Sequence, residues 1–316
     1  LSYLMHDFRP RFRIRAWRDL FSFSSWLVLN NALSFVLVRL SHFFVGKLYG
    51  AAALGVYNLG EQISSLATTE MVQPINRAVF PAYAKMAADL ARLREGFLGV
   101  IAAIATFVMP ATVGVAATAA LAVDVMLGQK WRAATPIVEV LAFSCGIAAL
   151  GTNIYSAYLA LGMSSVQPKL AFVRLLLFVP IMYAFSSWFG FVGIAYAELV
   201  TALLYLIINY PTLFRVLDIG IAAYLARIWR PGAASCVMGA SVYWVRDILA
   251  GLAPVPGSLV RLIILIAIGV TVYVGALLGL WNLLGRPDGP ERSALTIARN
   301  RLLGWSQRRS ASSADK

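Results

Sequence analysis

Six residues between positions 58 and 76 follow one another at steps of four, three, four, four and three: Asn58, Gln62, Ser65, Thr69, Gln73 and Asn76. At about 100° per residue this spacing puts all six on one face of a helix. The stretch that carries them, 53–86, is long enough to cross a bilayer, and Val56, Leu59, Ile63 and Leu66 form a separate apolar face. An amide or hydroxyl left unpaired in hydrocarbon is costly. The stripe therefore predicts a polar partner, either a seam against neighbouring helices or the wall of a hydrophilic path. Pro74 and Pro81 remove backbone donors and predict a kink or break.

Two carboxylates, Glu61 and Glu70, lie in the same stretch. Inside a membrane such a group must be paired, hydrated or protonated. Glu61 has a candidate partner in Arg39 on the preceding, antiparallel helix, and Glu70 has Arg77 two turns further on. Each acid is either a structural ion pair or the proton- or sodium-sensitive group of a coupled transporter. The first apolar stretch adds Asn30, Asn31, Ser34, Arg39, Ser41 and His42. Asn30, Ser34 and Ser41 share a face, Asn31 and His42 stand a quarter-turn round, and Arg39 lies further still. Arg39 either snorkels to the headgroups or binds an anion. His42 reads as an interfacial or hydrogen-bonded histidine, although beside Arg39 or Glu61 it would titrate in a useful range. Glu139, Arg174, Glu198 and the Arg246–Asp247 pair fall near span ends and read as facing water.

These residues must be held by an all-α, polytopic transmembrane helix bundle. The 316 residues are 60% hydrophobic and 13% charged, with a mean hydropathy of +0.76, which excludes an ordinary soluble domain. About eight spans are expected, at 21–46, 53–84, 96–122, 135–162, 170–189, 191–214, 231–250 and 258–282, joined by short connections. With residues 1–20 in the cytosol, 21 Lys and Arg fall on the cytoplasmic side and 5 outside, Arg39 lying within a span. This positive-inside asymmetry makes both ends of the chain cytoplasmic. It also accounts for the net charge of +13 without nucleic acid. Arg9, Arg11, Arg13 and Arg15, interleaved with aromatic and aliphatic residues, suit anionic headgroups. Cys145 and Cys236 sit in apolar runs, so neither a disulfide nor a metal site is expected. A start at Leu1 on a basic amphipathic stretch points to an absent N-terminal portion. No HExxH, GxSxG or Gly-rich phosphate loop is present, and no enzyme is expected.

Four runs carry a family likeness. Val45-Gly46-Lys47-Leu48-Tyr49-Gly50 continues into Ala53-Leu54-Gly55-Val56-Tyr57-Asn58, and Pro74 to Lys85 contains Phe80-Pro81-Ala82-Tyr83. Met126-Leu127-Gly128-Gln129-Lys130-Trp131 has Gln129 in place of an acid. Leu159-Ala160-Leu161-Gly162-Met163 precedes Pro168-Lys169-Leu170. Together they resemble the lipopolysaccharide/O-antigen and exopolysaccharide flippases of the multidrug/oligosaccharidyl-lipid/polysaccharide exporter superfamily. That family often has an acidic or small polar group near Leu40, Ser41 and His42, where this chain has Arg39 and His42, so a cation-coupling acid does not carry over there.

The resemblance implies the second lobe of a two-lobed exporter fold, with the N-terminal lobe of the same protein missing. Residues 1–20 form a basic cytoplasmic segment, 21–217 the six-span lobe, 218–284 two additional spans and 285–316 a basic cytoplasmic tail. It further implies flipping of lipid-diphosphate-linked oligosaccharide across the bacterial inner membrane, for lipopolysaccharide or exopolysaccharide biosynthesis, by alternating access. The cavity would be walled by Asn30, Asn31, Arg39, His42, Asn58, Glu61, Gln62, Ser65, Thr69, Glu70, Gln73, Asn76 and Arg77. Arg39 or Arg77 would meet the diphosphate charge, and the amides would meet sugar hydroxyls. Small residues at 99–120 would let helices approach closely. No cofactor is expected; a proton or sodium gradient, or the membrane potential, would supply energy. Membrane lipids and polysaccharide assembly machinery are the other implied partners. The alternatives are a drug/cation exporter of the same superfamily, a polysaccharide polymerase or ligase, and a non-transporting membrane scaffold.

Overall fold

The computed structural model describes residues 17–251 and 257–283. The basic stretch at 1–16 and the tail from 284 onward lie outside the described residues.

The described chain is helical throughout: α1 (Trp17–Met86), α2 (Leu90–Met126), α3 (Thr135–Ala160), α4 (Val166–Phe189), α5 (Gly193–Leu217), α6 (Ile221–Gly251) and α7 (Ser258–Leu283). Helix α1 has 70 residues, which at about 1.5 Å per residue is far longer than a bilayer is thick. It is broken at Gly50, whose φ of 84° and ψ of 176° are open to glycine and strained for other residues. Helical dihedrals continue through Pro74 and Pro81, so no break falls at the prolines, and the one at Gly50 lies in the connection expected between the spans at 21–46 and 53–84. Just before the break, the Tyr49 hydroxyl hydrogen-bonds Ser186 Oγ at 2.7 Å, pinning the first rod of α1 to α4.

Among the described residues, five stretches are long and apolar enough to cross a membrane, fewer than the eight spans expected. Two of them, Ser24–Leu66 and Val166–Leu217, run through a backbone break, at Gly50 and near Gly190. Helix α6 is not among the five. Its Arg227, Arg230, Arg246 and Asp247 dilute the apolar run. Large apolar side chains such as Phe35, Trp188, Ile207 and Trp244 project outward. With these spans, an apolar exterior of this kind marks a multi-pass membrane protein.

One core joins α1, α2, α3, α5 and α6 around Tyr83, Phe97, Ile101, Tyr158 and Leu213. A second joins both rods of α1 to α3, α4 and α5 around Val45, Tyr57, Leu141 and Met182. Helices α6 and α7 lean together on α2, where Met238, Val242 and Leu265 meet Val113 and Leu121. Tyr273 of α7 donates to the Thr106 carbonyl at 2.6 Å. Ala102 and Ala105 of the small-residue stretch are buried against neighbours, whereas Gly99 faces open space.

The face of α1 that turns inward matches the apolar face drawn from sequence only in part, with Ile63 buried and Val56 packed beside it against α2 and α3. Tyr57, Gly60, Ser64, Thr68, Val72, Val79 and Tyr83 are buried, while Leu66 is 44% exposed. Lipid tolerates leucine as well as a protein interior does, so close helix contact selects small residues rather than apolar ones. Ser64 and Thr68 satisfy their hydroxyls on their own helix, at Gly60 O (2.8 Å) and Ser65 O (3.1 Å). At Gly60 an added Cβ would stand 2.9 Å from Ile137, so α3 packs directly on the α1 backbone.

Candidate functional site

Polar residues on four helices converge within the lobe. In the first rod of α1, Asn30, Ser34, Leu37 and Ser41 repeat at steps of four, three and four and face inward. In α5, Glu198, Thr201, Tyr205 and Asn209 repeat at three, four and four, and in α4 Gln167, Ala171 and Arg174 repeat at four and three. Between these faces and α3 lies a cavity of about 370 Å³. Gln167 Nε2 donates to the Tyr205 hydroxyl at 2.6 Å, and the Tyr158 hydroxyl donates to Asn209 Oδ1 at 3.2 Å. Thr152 Oγ1 donates to Asn76 Oδ1 at 3.3 Å, drawing the end of the sequence stripe to the cavity wall. The Arg174 guanidinium lies 5.4 Å from the centre of the Tyr205 ring.

Next to this cavity is a smaller one of about 50 Å³, faced by Ser41, Arg174 and Glu198. Glu198 Oε1 accepts hydrogen bonds from the Ser41 hydroxyl and, at 2.8 Å, from the Tyr57 hydroxyl. One carboxylate thereby ties α5 to both rods of α1. The His42 ring meets the Tyr57 ring edge-on at 5.8 Å, and His42 Nε2 stands 2.8 Å from Glu61 Oε2. His42 Nδ1 lies 2.8 Å from the Val38 carbonyl. A carbonyl only accepts, so Nδ1 must carry a proton. The contact between Nε2 and Oε2 then holds one further proton, on either partner. The dyad has the parts of a proton site.

Of the residues singled out from sequence, the structure places Asn30 and Asn76 on the larger cavity and pairs His42 with Glu61. Asn31, Arg39, Asn58, Gln62, Gln73 and Arg77 are exposed on the surface of this chain, and Ser65 is half-buried, donating to the Gln62 carbonyl at 3.2 Å. The side chains of Thr69 and Glu70 lie outside those described. The expected Arg39–Glu61 pair is not formed. Glu61 takes His42, and Arg39 lies 5.5 Å from the centre of the Phe35 ring, four residues back on its own helix. Arg174 and Glu198, read as facing water, instead line the interior cavities, because α4 and α5 turn their polar faces toward α1. The regular polar steps along α5 were the available signal for this.

The recurring motifs serve as pins. Tyr83 of the Phe-Pro-Ala-Tyr run is 1% exposed and donates to Asn153 Oδ1 at 2.7 Å. Gly128 opens the loop before Trp131 with φ 89°, and Trp131 closes against Gly55. Arg132 grips Asp124 through two hydrogen bonds, of 2.8 and 2.7 Å.

Residues 1–136 match the family model described as polysaccharide biosynthesis protein. Over 234 residues the chain is 26% identical to teichuronic acid biosynthesis protein TuaB of Bacillus subtilis (strain 168), covering 74% of this chain and 48% of that protein. Over 210 residues it is 24% identical to lipopolysaccharide biosynthesis protein WzxC of Escherichia coli (strain K12), covering 66% of this chain and 43% of that one. The chain thus spans about half the length of the curated relatives it matches. Its fold is that of the lipid II flippase MurJ in an inward closed conformation, with a TM-score of 0.64 at 15% identity over 90% of this chain and 59% of that structure. The resemblance to polysaccharide-exporting flippases drawn from the motifs is borne out.

Proposed function

We propose that this chain is the second lobe of a bacterial inner-membrane exporter that flips lipid-diphosphate-linked oligosaccharide by alternating access, without covalent chemistry. One observation carries the reading. Asn58, Gln62 and Gln73 stand exposed along the second rod of α1, on a molecule that also turns many large apolar side chains outward. Amides within the hydrocarbon of a bilayer cannot face lipid. A wet path shared with an N-terminal lobe satisfies them, and sugar hydroxyls match their donors and acceptors. Arg77, exposed on the same rod, would meet diphosphate charge. The likeness to polysaccharide-biosynthesis proteins and to a flippase fold supports transport rather than an enzyme. Both chain ends would lie in the cytosol, beside the assembly machinery that supplies the glycan.

The coupling ion would be the proton, held by the His42–Glu61 dyad. The groups facing the dyad from neighbouring elements are Tyr57 on the second rod of α1, Glu198 on α5 and, beyond it, Arg174 on α4. Glycan export should then vary with pH between about 5 and 8, and Glu61→Gln should flatten that dependence while the protein still inserts. An unchanged pH profile in the variant removes the dyad from coupling. The transport reading itself is tested by export in cells that lack the native transporter. Leucine at positions 58, 62 and 73 together should abolish complementation with membrane levels unchanged, and normal export would refute it.

A further inference from the structure

The cavity inside the lobe is built for a charged guest. Three polar atoms on its wall are sealed from solvent and have no hydrogen-bond partner: Gln167 Oε1, Arg174 Nε and Asn209 Nδ2. The residues that carry them belong to two helices, α4 and α5, yet they line one volume of about 370 Å³. Buried polar atoms are ordinarily satisfied, so three unsatisfied ones around one space indicate what belongs there. Arg174 Nε and Asn209 Nδ2 are donors and require acceptors. Gln167 Oε1 is an acceptor and requires a donor. Water could serve each atom singly, but it brings no charge to the guanidinium.

That charge is incompletely answered within the protein. The carboxylate on the far side of the smaller cavity, Glu198, already accepts from Ser41 and Tyr57 and makes no ion pair with Arg174 among the described residues. The recorded contact of the guanidinium is the Tyr205 ring. A simple inorganic anion would satisfy the two donors and leave Gln167 Oε1 bare. A neutral sugar would satisfy the acceptor and leave the charge unanswered. An anion flanked by hydroxyls does both. The volume is near the lower end of ligand cavities, about 300–1,000 Å³, which suits one sugar residue and not a chain of them.

We infer that this cavity, within the lobe and apart from the exposed amide stripe, binds a single hydroxylated anionic group, an acidic sugar residue or a sugar phosphate, with Arg174 as its charge partner. Identifying the guest with part of an exported glycan rests on the transport reading, but affinity for the anion does not. Equilibrium binding to the full protein in nanodiscs therefore tests the cavity alone, with glucuronate, glucose 1-phosphate and glucose as probes. At least one of the two anions should bind saturably and glucose at least tenfold more weakly. The anion that binds distinguishes a sugar carboxylate from a phosphate as the source. Arg174→Gln should weaken the anion tenfold or more, and Arg174→Lys should keep it within a few-fold. Ala148 lines the cavity from an exposed position, so Ala148→Trp should obstruct entry without disturbing the core. Neither anion binding saturably, glucose binding as tightly as the anion, or affinities indifferent to both Arg174→Gln and Ala148→Trp would overturn the inference. Export that persists alongside such a result leaves the transport reading intact.

Discussion

The two rods of α1 carry polar stripes of similar spacing and opposite fate. On the first rod, Asn30 and Ser41 are buried and Ser34 lines the interior cavity. On the second, Asn58, Gln62 and Gln73 point away from every helix of this lobe. The inward stripe is served by α3, α4 and α5, and Asn58, Gln62 and Gln73 of the outward one have no such server among the described residues. The contrast teaches that a polar stripe on a membrane helix states a demand for partners, while its direction is set by what else packs there. Inside the lobe the Ser41 hydroxyl is answered by Glu198, so damage there should appear as lost stability. Outside, it should appear as lost transport.

Glu198→Leu should have the largest effect. It strands the Ser41 and Tyr57 hydroxyls, at about 1–3 kcal/mol each, and thermal unfolding in detergent should shift accordingly. A variant as stable as the parent would mean that the inward stripe is not the structural one. Next comes the triple leucine replacement of Asn58, Gln62 and Gln73. Unfolding should move by less than about 1 kcal/mol, while export falls tenfold or more, equivalent to about 1.4 kcal/mol. The reverse pattern would erase the distinction between the stripes. Tyr57→Phe removes one of two donors to Glu198 and should cost about 1 kcal/mol in the same unfolding assay. Arg39→Ala should cost the least. Its recorded contact is the Phe35 ring at 5.5 Å, worth about 0.5–1 kcal/mol at an exposed site, and export should be unaffected. A strong export defect there would restore Arg39 to the transport path.

Much of the helix layout was legible in the sequence. Stretches expected at 135–162, 191–214 and 258–282 correspond to Thr135–Ala160, Gly193–Leu217 and Ser258–Leu283, because apolar length alone marks such elements. Orientation about the helix axis was harder to read. Val56, Leu59, Ile63 and Leu66 read as a separate apolar face, yet Leu66 is exposed while Gly60, Ser64 and Thr68 join Ile63 in turning to α3 and its neighbours. Hydrophobic periodicity loses its meaning where the solvent is itself apolar. The same blindness moved Arg174 and Glu198 to the span ends on paper. Pairing also escaped linear reading. Arg39 and His42 are both near neighbours of Glu61 in an antiparallel register, and only the rotation of the first rod decides for His42 at 2.8 Å.

The central claim, that the exposed amides of α1 border water, can be tested in one experiment. Single cysteines at positions 58, 62 and 73, and at 30 and 34 for comparison, would be exposed to a membrane-impermeant maleimide in the full-length protein, with and without an added lipid-linked glycan. The account predicts labelling at 58, 62 and 73 that the glycan suppresses, together with slower labelling at 30 and 34. Protection of 58, 62 and 73 under every condition would contradict it and leave the stripe a sealed seam between helices.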